Sequence, residues 1–290
     1  MNGFASVLVP LDGSARAARS LGCAVWLAER MQAELRLLHV GPSAELPGNE
    51  LPDGLSERCV LHHRRGEPAT VILDDIARHG ARCVVLSTRG AGAGGEGGTL
   101  GLLGQVSRAV VEHSPAPVLL VPERYQERLP WQRLLVPVSG EPSAERALAV
   151  AVELAKDLDL SVRVAHVIDP EQGDTVDGSL LAAARYADAP HHELPEALEE
   201  MISRALPQFP SEDRRCIRQV SLCHGDIAAE LLELAAQPDV SAVVVGWNGR
   251  FARGHAAVLK RLIEELDCPL LLVRPRPRMP FRLKVGEELD

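Results

Sequence analysis

Short aliphatic runs alternate along the chain with stretches in which apolar residues recur every three or four positions. Residues 7–11, 35–40, 82–87 and 117–121 are nearly continuous in Val, Leu and their neighbours, the pattern of strands buried on both faces. Between the first two, Ser14 is an N-cap candidate, and Ala17, Leu21, Ala24, Ala28 and Met31 fall on one helical stripe. Val71, Ile72, Asp75, Ile76 and His79 share a second helix face, with the Asp and His expected at its margin. In the second half, strands are expected at 134–138, 162–167, 216–222, 242–246 and 270–273. Alternation of strand and helix predicts parallel strands joined by crossover helices.

The two halves repeat one another. Val7-Leu8-Val9-Pro10-Leu11-Asp12-Gly13 matches Leu134-Leu135-Val136-Pro137-Val138-Ser139-Gly140, and Leu37-Leu38-His39-Val40 matches Val164-Ala165-His166-Val167, both at an offset of 127. Gly66-Glu67-Pro68-Ala69 and Cys83-Val84-Val85-Leu86 match Gly225-Asp226-Ile227-Ala228 and Ala242-Val243-Val244-Val245 at 159, and Pro117 to Val121 matches Pro269 to Val273 at 152. Ordered landmarks of this kind mark an internal duplication. The offsets assign 32 extra residues to the middle of the second repeat, which a helix near 194–206 accounts for through the stripe Leu194, Leu198, Ile202 and Ala205. The first repeat has only 41–56 there, rich in Pro, Gly and Glu, and is expected to lack that helix. The expected domains are 1–122 and 133–274, followed by a tail over 275–290 that reads as extended. Residues 118–121 are expected to pair with 270–273 within the chain, Leu119 and Leu271 sharing a core.

Composition narrows the function classes. A net charge of -9 over 290 residues lacks the basic face that nucleic acid requires. No apolar run reaches the roughly 20 residues of a membrane span, and Met1 to Ser6 has no basic leader region, so the expected location is the cytoplasm. With aromatic residues at 3%, the core must be aliphatic. None of the six cysteines forms a C-x-x-C pair, and they read as small buried hydrophobes rather than disulfides. His62-His63 and His191-His192 are adjacent pairs whose neighbours diverge on a strand, so no metal is expected. Asp74-Asp75 and Glu264-Glu265 read as solvated helix positions. Ser14, Ser107 and Ser143 lack a nucleophile-elbow context, and no nucleophile, base and orienting group can be assembled.

Candidate chemistry gathers in the first repeat. In an open parallel sheet, ligands bind beyond the carboxyl ends of the strands, where strand order reverses. Asp12, Val40 and the segment Ser87-Thr88-Arg89-Gly90 all meet that edge. Residues 90–104 hold eight of the 24 glycines and lead to a helix beginning near Gly104, whose free N–H groups suit an anion. Both halves resemble universal stress protein domains, an α/β nucleotide-binding family. The resemblance is carried by Val9-Pro10-Leu11-Asp12-Gly13-Ser14, Leu38-His39-Val40, the stretch from Gly66 to Ile72, Val84 to Gly90, and Gly104 to Val121.

That resemblance implies two tandem open parallel five-stranded sheets flanked by helices, Rossmann-like and of the adenine nucleotide alpha hydrolase type. It implies an ATP site, with Mg²⁺, built from an Asp after the first strand, a Val after the second and a G-x2-G-x9-G-[ST] loop. Carried over, Asp12 and Val40 face adenine, Gly90 and Gly104 run along ribose and phosphates, and the binding set is Pro10, Asp12, Val40, Ser87, Arg89, Gly90, Gly104, Gln105 and Val106. Ser87 replaces the first motif glycine, 13 residues replace the nine-residue spacer, and Gln105 replaces the hydroxyl residue. In the second half Ser139 replaces the Asp. Gly246-Trp247-Asn248-Gly249 keeps G-x2-G, but Ala256-Ala257 stands where Gly-Ser is expected, so no nucleotide is expected there, although Arg250, Arg253 and Lys260 offer charge for an anion. The expected function is a stress-response regulatory protein that binds ATP in its first half and acts on a protein partner. The alternatives are a ligand-free scaffold with its halves arranged as a pseudo-dimer, itself able to form a homodimer, and a weak ATPase.

Overall fold

The computed structural model describes residues 6–14, 17, 19–43, 59–88, 103–169, 193–249, 251 and 256–275, with 193–197 as backbone only. The first half contains β1 (Ser6–Leu11), α1 (Leu21–Arg30), β2 (Glu34–Val40), β3 (Cys59–Arg64), α2 (Pro68–His79), β4 (Cys83–Ser87), α3 (Gln105–His113) and β5 (Val118–Val121). The second half contains β6 (Arg133–Pro137), α4 (Pro142–Leu158), β7 (Ser161–Ile168), α5 (Glu193–Ala205), a 3₁₀ turn at Asp213–Cys216, β8 (Ile217–His224), α6 (Ile227–Ala235), β9 (Val240–Gly246), α7 (Ala257–Glu265) and β10 (Leu270–Val273).

Each half is a parallel five-stranded sheet, ordered β3-β2-β1-β4-β5 and β8-β7-β6-β9-β10. The two join edge to edge into one ten-stranded sheet through the antiparallel pair β5 and β10, with Leu119 opposite Leu271. Alternation along the strands sends Val7, Val9, Leu119 and Leu271 to one face, with α1 and α4, and Leu8, Leu120 and Leu270 to the other, with α2, α3, α6 and α7. Both cores therefore run unbroken across the junction.

The repeat landmarks are local structural devices. Gly13 and Gly140 adopt φ of 80° and 79°, a left-handed turn that a side chain would strain. Glu67 caps α2 by accepting from the N–H groups of Ala69 and Thr70 at 3.1 and 2.7 Å, and Asp226 caps α6 by accepting from Ala229 at 2.7 Å. His39 and His166 each place Nδ1 on a carbonyl of the neighbouring strand, Leu11 at 3.0 Å and Val138 at 2.8 Å.

Helix α5 forms where the extra residues of the second repeat require it, and buries Leu198, Met201, Ile202 and Ala205. The side chain of Leu194 and most of the matching segment of the first repeat lie outside the described residues. Two expectations need correction. Strand β8 is a sheet edge, not a strand covered on both faces, and so is β3, which the apolar pattern does not predict; they expose Val220 and Leu222, and Val60 and Leu61. Asp75 is not solvated: it is 2% exposed and pairs with Arg36 at 3.0 Å, with Arg64 and His79 at 3.7 and 3.8 Å. Its place on α2 between Ile72 and Ile76 turns it toward β2, where Arg36 is itself buried, and a buried charge needs such a partner. Asp74, Glu264 and Glu265 remain at the surface.

Candidate functional site

The ends of β2, β1 and β4 lie side by side at the carboxyl edge of the first half, and strand order reverses at β1. Pro10 is the penultimate residue of β1, paired with Leu38. Asp12 follows that strand, exposed, its Oδ1 accepting from Ser14 N–H at 2.9 Å and Ser14 Oγ at 2.6 Å. Ser14 Oγ accepts in turn from Ala17 N–H at 3.1 Å, so the carboxylate is fixed by a turn that also begins the chain's return toward α1. Val40 ends β2, half-buried against the α2 face, and Gly41 N–H donates to Arg64 O at 3.1 Å.

On the other side, Ser87 ends β4. Gly104 N–H donates to Thr88 O at 3.0 Å, and Ser107 Oγ donates to Ser87 O at 3.1 Å. These two bonds bring the start of α3 against the end of β4. Gly104 is the N-cap of α3 and has no side chain to cap it with; Gln105 follows, exposed, and Val106 is half-buried. The first N–H groups of α3 thus face the same edge as Asp12 and Val40. Arg89, Gly90 and the rest of the glycine-rich segment through residue 102 lie outside the described residues, so of the nine expected binding positions seven are placed here.

Four residues outside the expected binding set also shape this edge. Thr88 and Ser107 are the positioning pair between β4 and α3. His39 is buried, and its ring stacks on His63 at 5.6 Å. His63 Nε2 donates to Gly41 O at 2.8 Å, bracing the turn after Val40. The signal for His39 was present, since it recurs in the duplication as His166. No group of three or more metal-ligating side chains occurs among the described residues, and His191-His192 lie outside them.

The second half differs at the same places. Ser139 is exposed at the position of Asp12. Trp247, equivalent to Thr88, is 5% exposed and packs on Phe251 at 4.6 Å. Gly246 approaches α4 so closely that a Cβ there would stand 2.0 Å from Ser143 O. Ala256, at the N-cap of α7, is held at φ 58°. Arg250 and Arg253 lie outside the described residues. Arg274 donates to Glu112 O at the end of α3 at 2.6 Å, so the first residue after β10 is docked, while 276–290 lie outside the described residues.

Buried thiols take no part in this edge. Burial pushes Cys23, Cys83 and Cys268 up to about 12, all six cysteines are free, and Cys59, Cys216 and Cys223 are half-buried. Among the described residues no helix is long and apolar enough to cross a membrane.

Comparisons with known proteins agree with this architecture. The family model described as the universal stress protein family matches residues 3–60, 55–122 and 130–274, the first half in two pieces that meet at the shortened connection. Universal stress protein YxiE of Bacillus subtilis is 31% identical over 150 residues, covering 41% of this chain and 99% of the relative. Among solved structures, a universal stress protein from Archaeoglobus fulgidus superposes with a TM-score of 0.61 at 17% identity, covering 93% of this chain and 96% of its own. The functionally unknown protein PA1789 from Pseudomonas aeruginosa does so with a TM-score of 0.58 at 15% identity, covering 94% and 93%. With the family model matched in both halves and the duplicated sheet in place, the chain belongs to the universal stress protein family as a tandem two-domain member.

Proposed function

We propose that this stress protein is a regulatory binding protein that takes one ATP, carried as its Mg²⁺ complex, at the carboxyl edge of the first half. The observation that carries this reading is the juxtaposition of Asp12, held by Ser14, with the uncapped N-terminus of α3 across the reversal point of the sheet. A helix N-terminus supplies N–H donors and a positive dipole end to phosphate. Gln105, exposed at the first helical position, adds an amide donor in place of a hydroxyl. Asp12 and Val40 supply acceptor and backbone groups for the base, as the family resemblance implies. Mg²⁺ would arrive with the nucleotide, coordinated by its phosphates and water.

The second half is proposed as a scaffold without nucleotide. Trp247, packed on Phe251, stands after β9 where the first half has Thr88 after β4, and Ser139 has no carboxylate to offer. The reading is of a binding module rather than a catalyst. Mass spectrometry of small molecules released from freshly purified protein tests it: adenine nucleotide in near-stoichiometric yield is expected. A preparation free of nucleotide that also gives no calorimetric response to MgATP supports the scaffold reading for the whole chain.

A further inference from the structure

Leu11, His39 and His63 form a row across the carboxyl ends of β1, β2 and β3, Leu11 paired with His39 and His39 with His63. Two hydrogen bonds tie this row to the ends of the first two strands. His39 Nδ1 donates to Leu11 O at 3.0 Å, one residue before Asp12, and His63 Nε2 donates to Gly41 O at 2.8 Å, one residue after Val40. Between these bonds the two rings stack, their centroids 5.6 Å apart and their planes inclined by 26°. A carbonyl can only accept, so the bonds require a proton on Nδ1 of His39 and on Nε2 of His63. The stack thus links the carbonyl before Asp12 to the carbonyl after Val40. Gly41 completes the contact: a Cβ there would stand 2.9 Å from His39 Nε2 and 3.2 Å from its Cε1, so the turn lies against the ring because residue 41 has no side chain.

The second half keeps one end of this row and loses the other. His166 bonds Val138 O at 2.8 Å, as His39 bonds Leu11 O. Its partner on β8 is Leu222, which takes the place of His63 both by strand pairing and by the offset of 159, and which is 39% exposed. A leucine side chain donates no hydrogen bond, so it cannot hold the turn after β7 as His63 holds the turn after β2. Gly41 is matched by Ile168 at the offset of 127. The shared histidine therefore serves the fold of both halves. The unshared histidine and glycine occur in the half that carries Asp12 and the uncapped N-terminus of α3.

We propose that His63 is a positioning residue for the nucleotide: stacked on His39, it holds the turn after β2 at a fixed separation from the turn after β1, so that Val40 and Asp12 meet the base already in place. The inference rests on the nucleotide reading of the same edge and adds to it a residue outside the expected binding set. His63 acts through Gly41 O and the ring of His39, not on the nucleotide itself. Affinity gained in this way comes from order established before the ligand arrives, which the ligand then need not impose.

Two substitutions and two measurements on the full chain test this. His63→Leu removes the donor, and β8 already carries leucine at the equivalent position. His63→Gln keeps a donor, its amide nitrogen reaching toward the place of Nε2. In ligand-free protein, hydrogen exchange read by mass spectrometry is expected to quicken in peptides spanning 11–14 and 40–43 with His63→Leu and to stay close to the parent with His63→Gln. In calorimetric titration, His63→Leu is expected to weaken MgATP binding about three- to tenfold, the worth of one hydrogen bond, and His63→Gln to stay within about twofold of the parent. His63→Leu protein that binds MgATP as the parent does overturns the proposal and leaves the nucleotide reading standing. So does a His63→Gln variant as weak as His63→Leu, or unchanged exchange in His63→Leu. A parent that takes no MgATP overturns both.

Discussion

Leu119 and Leu271 face each other across the antiparallel pair β5 and β10, at equivalent positions of the two repeats, each almost completely buried. Their contact is where two parallel sheets become one. It predicts that the chain unfolds as a unit. Either residue changed to Ala is expected to cost about 2–5 kcal/mol, the range for truncating a buried Leu. The double variant should show coupling of about 0.5–3 kcal/mol in a double-mutant cycle. Urea denaturation followed separately by tryptophan fluorescence and far-UV circular dichroism checks both; two transitions, one per half, contradict the account.

The Arg36–Asp75 pair makes a different demand on the core. Asp75→Ala leaves a guanidinium buried without its main counter-charge and is expected to cost about 3–5 kcal/mol. Replacing both partners together, Arg36→Met with Asp75→Leu, removes the charge and the desolvation cost and should restore most of that loss. Equilibrium denaturation of the two variants decides it: a double variant no better than the single one argues against the buried pair.

Gly246 carries a steric prediction. A Cβ there runs into the Ser143–Ala144 peptide group, Ser143 O at 2.0 Å, Ser143 C at 2.2 Å and Ala144 N at 2.6 Å. Gly246→Ala must push β9 away from the start of α4 and is expected to cost at least the roughly 1–3 kcal/mol of overpacking. Thermal denaturation measures this, and a loss below about 0.5 kcal/mol, the scatter of surface substitutions, contradicts it.

Cys23, Cys83 and Cys268 are raised to about 12, from 9.0, chiefly by burial. At pH 8 their thiolate fraction is on the order of 10⁻⁴, so iodoacetamide should spare them in the folded protein and modify them in urea. The linkage has a fixed sign. The unfolded chain loses these protons first, so their contribution to stability is complete below pH 9 and is lost as pH rises from 9 toward 12. Peptide mass mapping and denaturation at pH 8 and 10.5 check the two statements.

The fold was legible wherever the chain repeats a physical device. The positive-φ glycines at 13 and 140, the capping carboxylates of Glu67 and Asp226 and the histidines at 39 and 166 kept their spacing through the duplication, and each now has a geometric role. What escaped notice was tertiary. Nothing in the sequence near Asp75 announces that Arg36, 39 residues away on β2, turns inward to meet it. Strand β3 was missing from the predicted strands because Cys59-Val60-Leu61-His62-His63-Arg64 is a half-polar edge, without the continuous apolar run of a central strand. At the candidate site, Asp12, Val40 and Gly104 were visible as motif positions. The positioning roles of Thr88 and Ser107 were not, because they act through backbone bonds that only the approach of α3 to β4 creates.

The central claim is that one half binds nucleotide and the other does not. Calorimetric titration with MgATP after removal of any co-purified nucleotide measures the stoichiometry directly. One site per chain is predicted, weakened at least about tenfold by Asp12→Ala, or 1.4 kcal/mol, and unchanged by Ser139→Ala. Two sites, no site, or a single site that survives Asp12→Ala and fails with Ser139→Ala contradicts it.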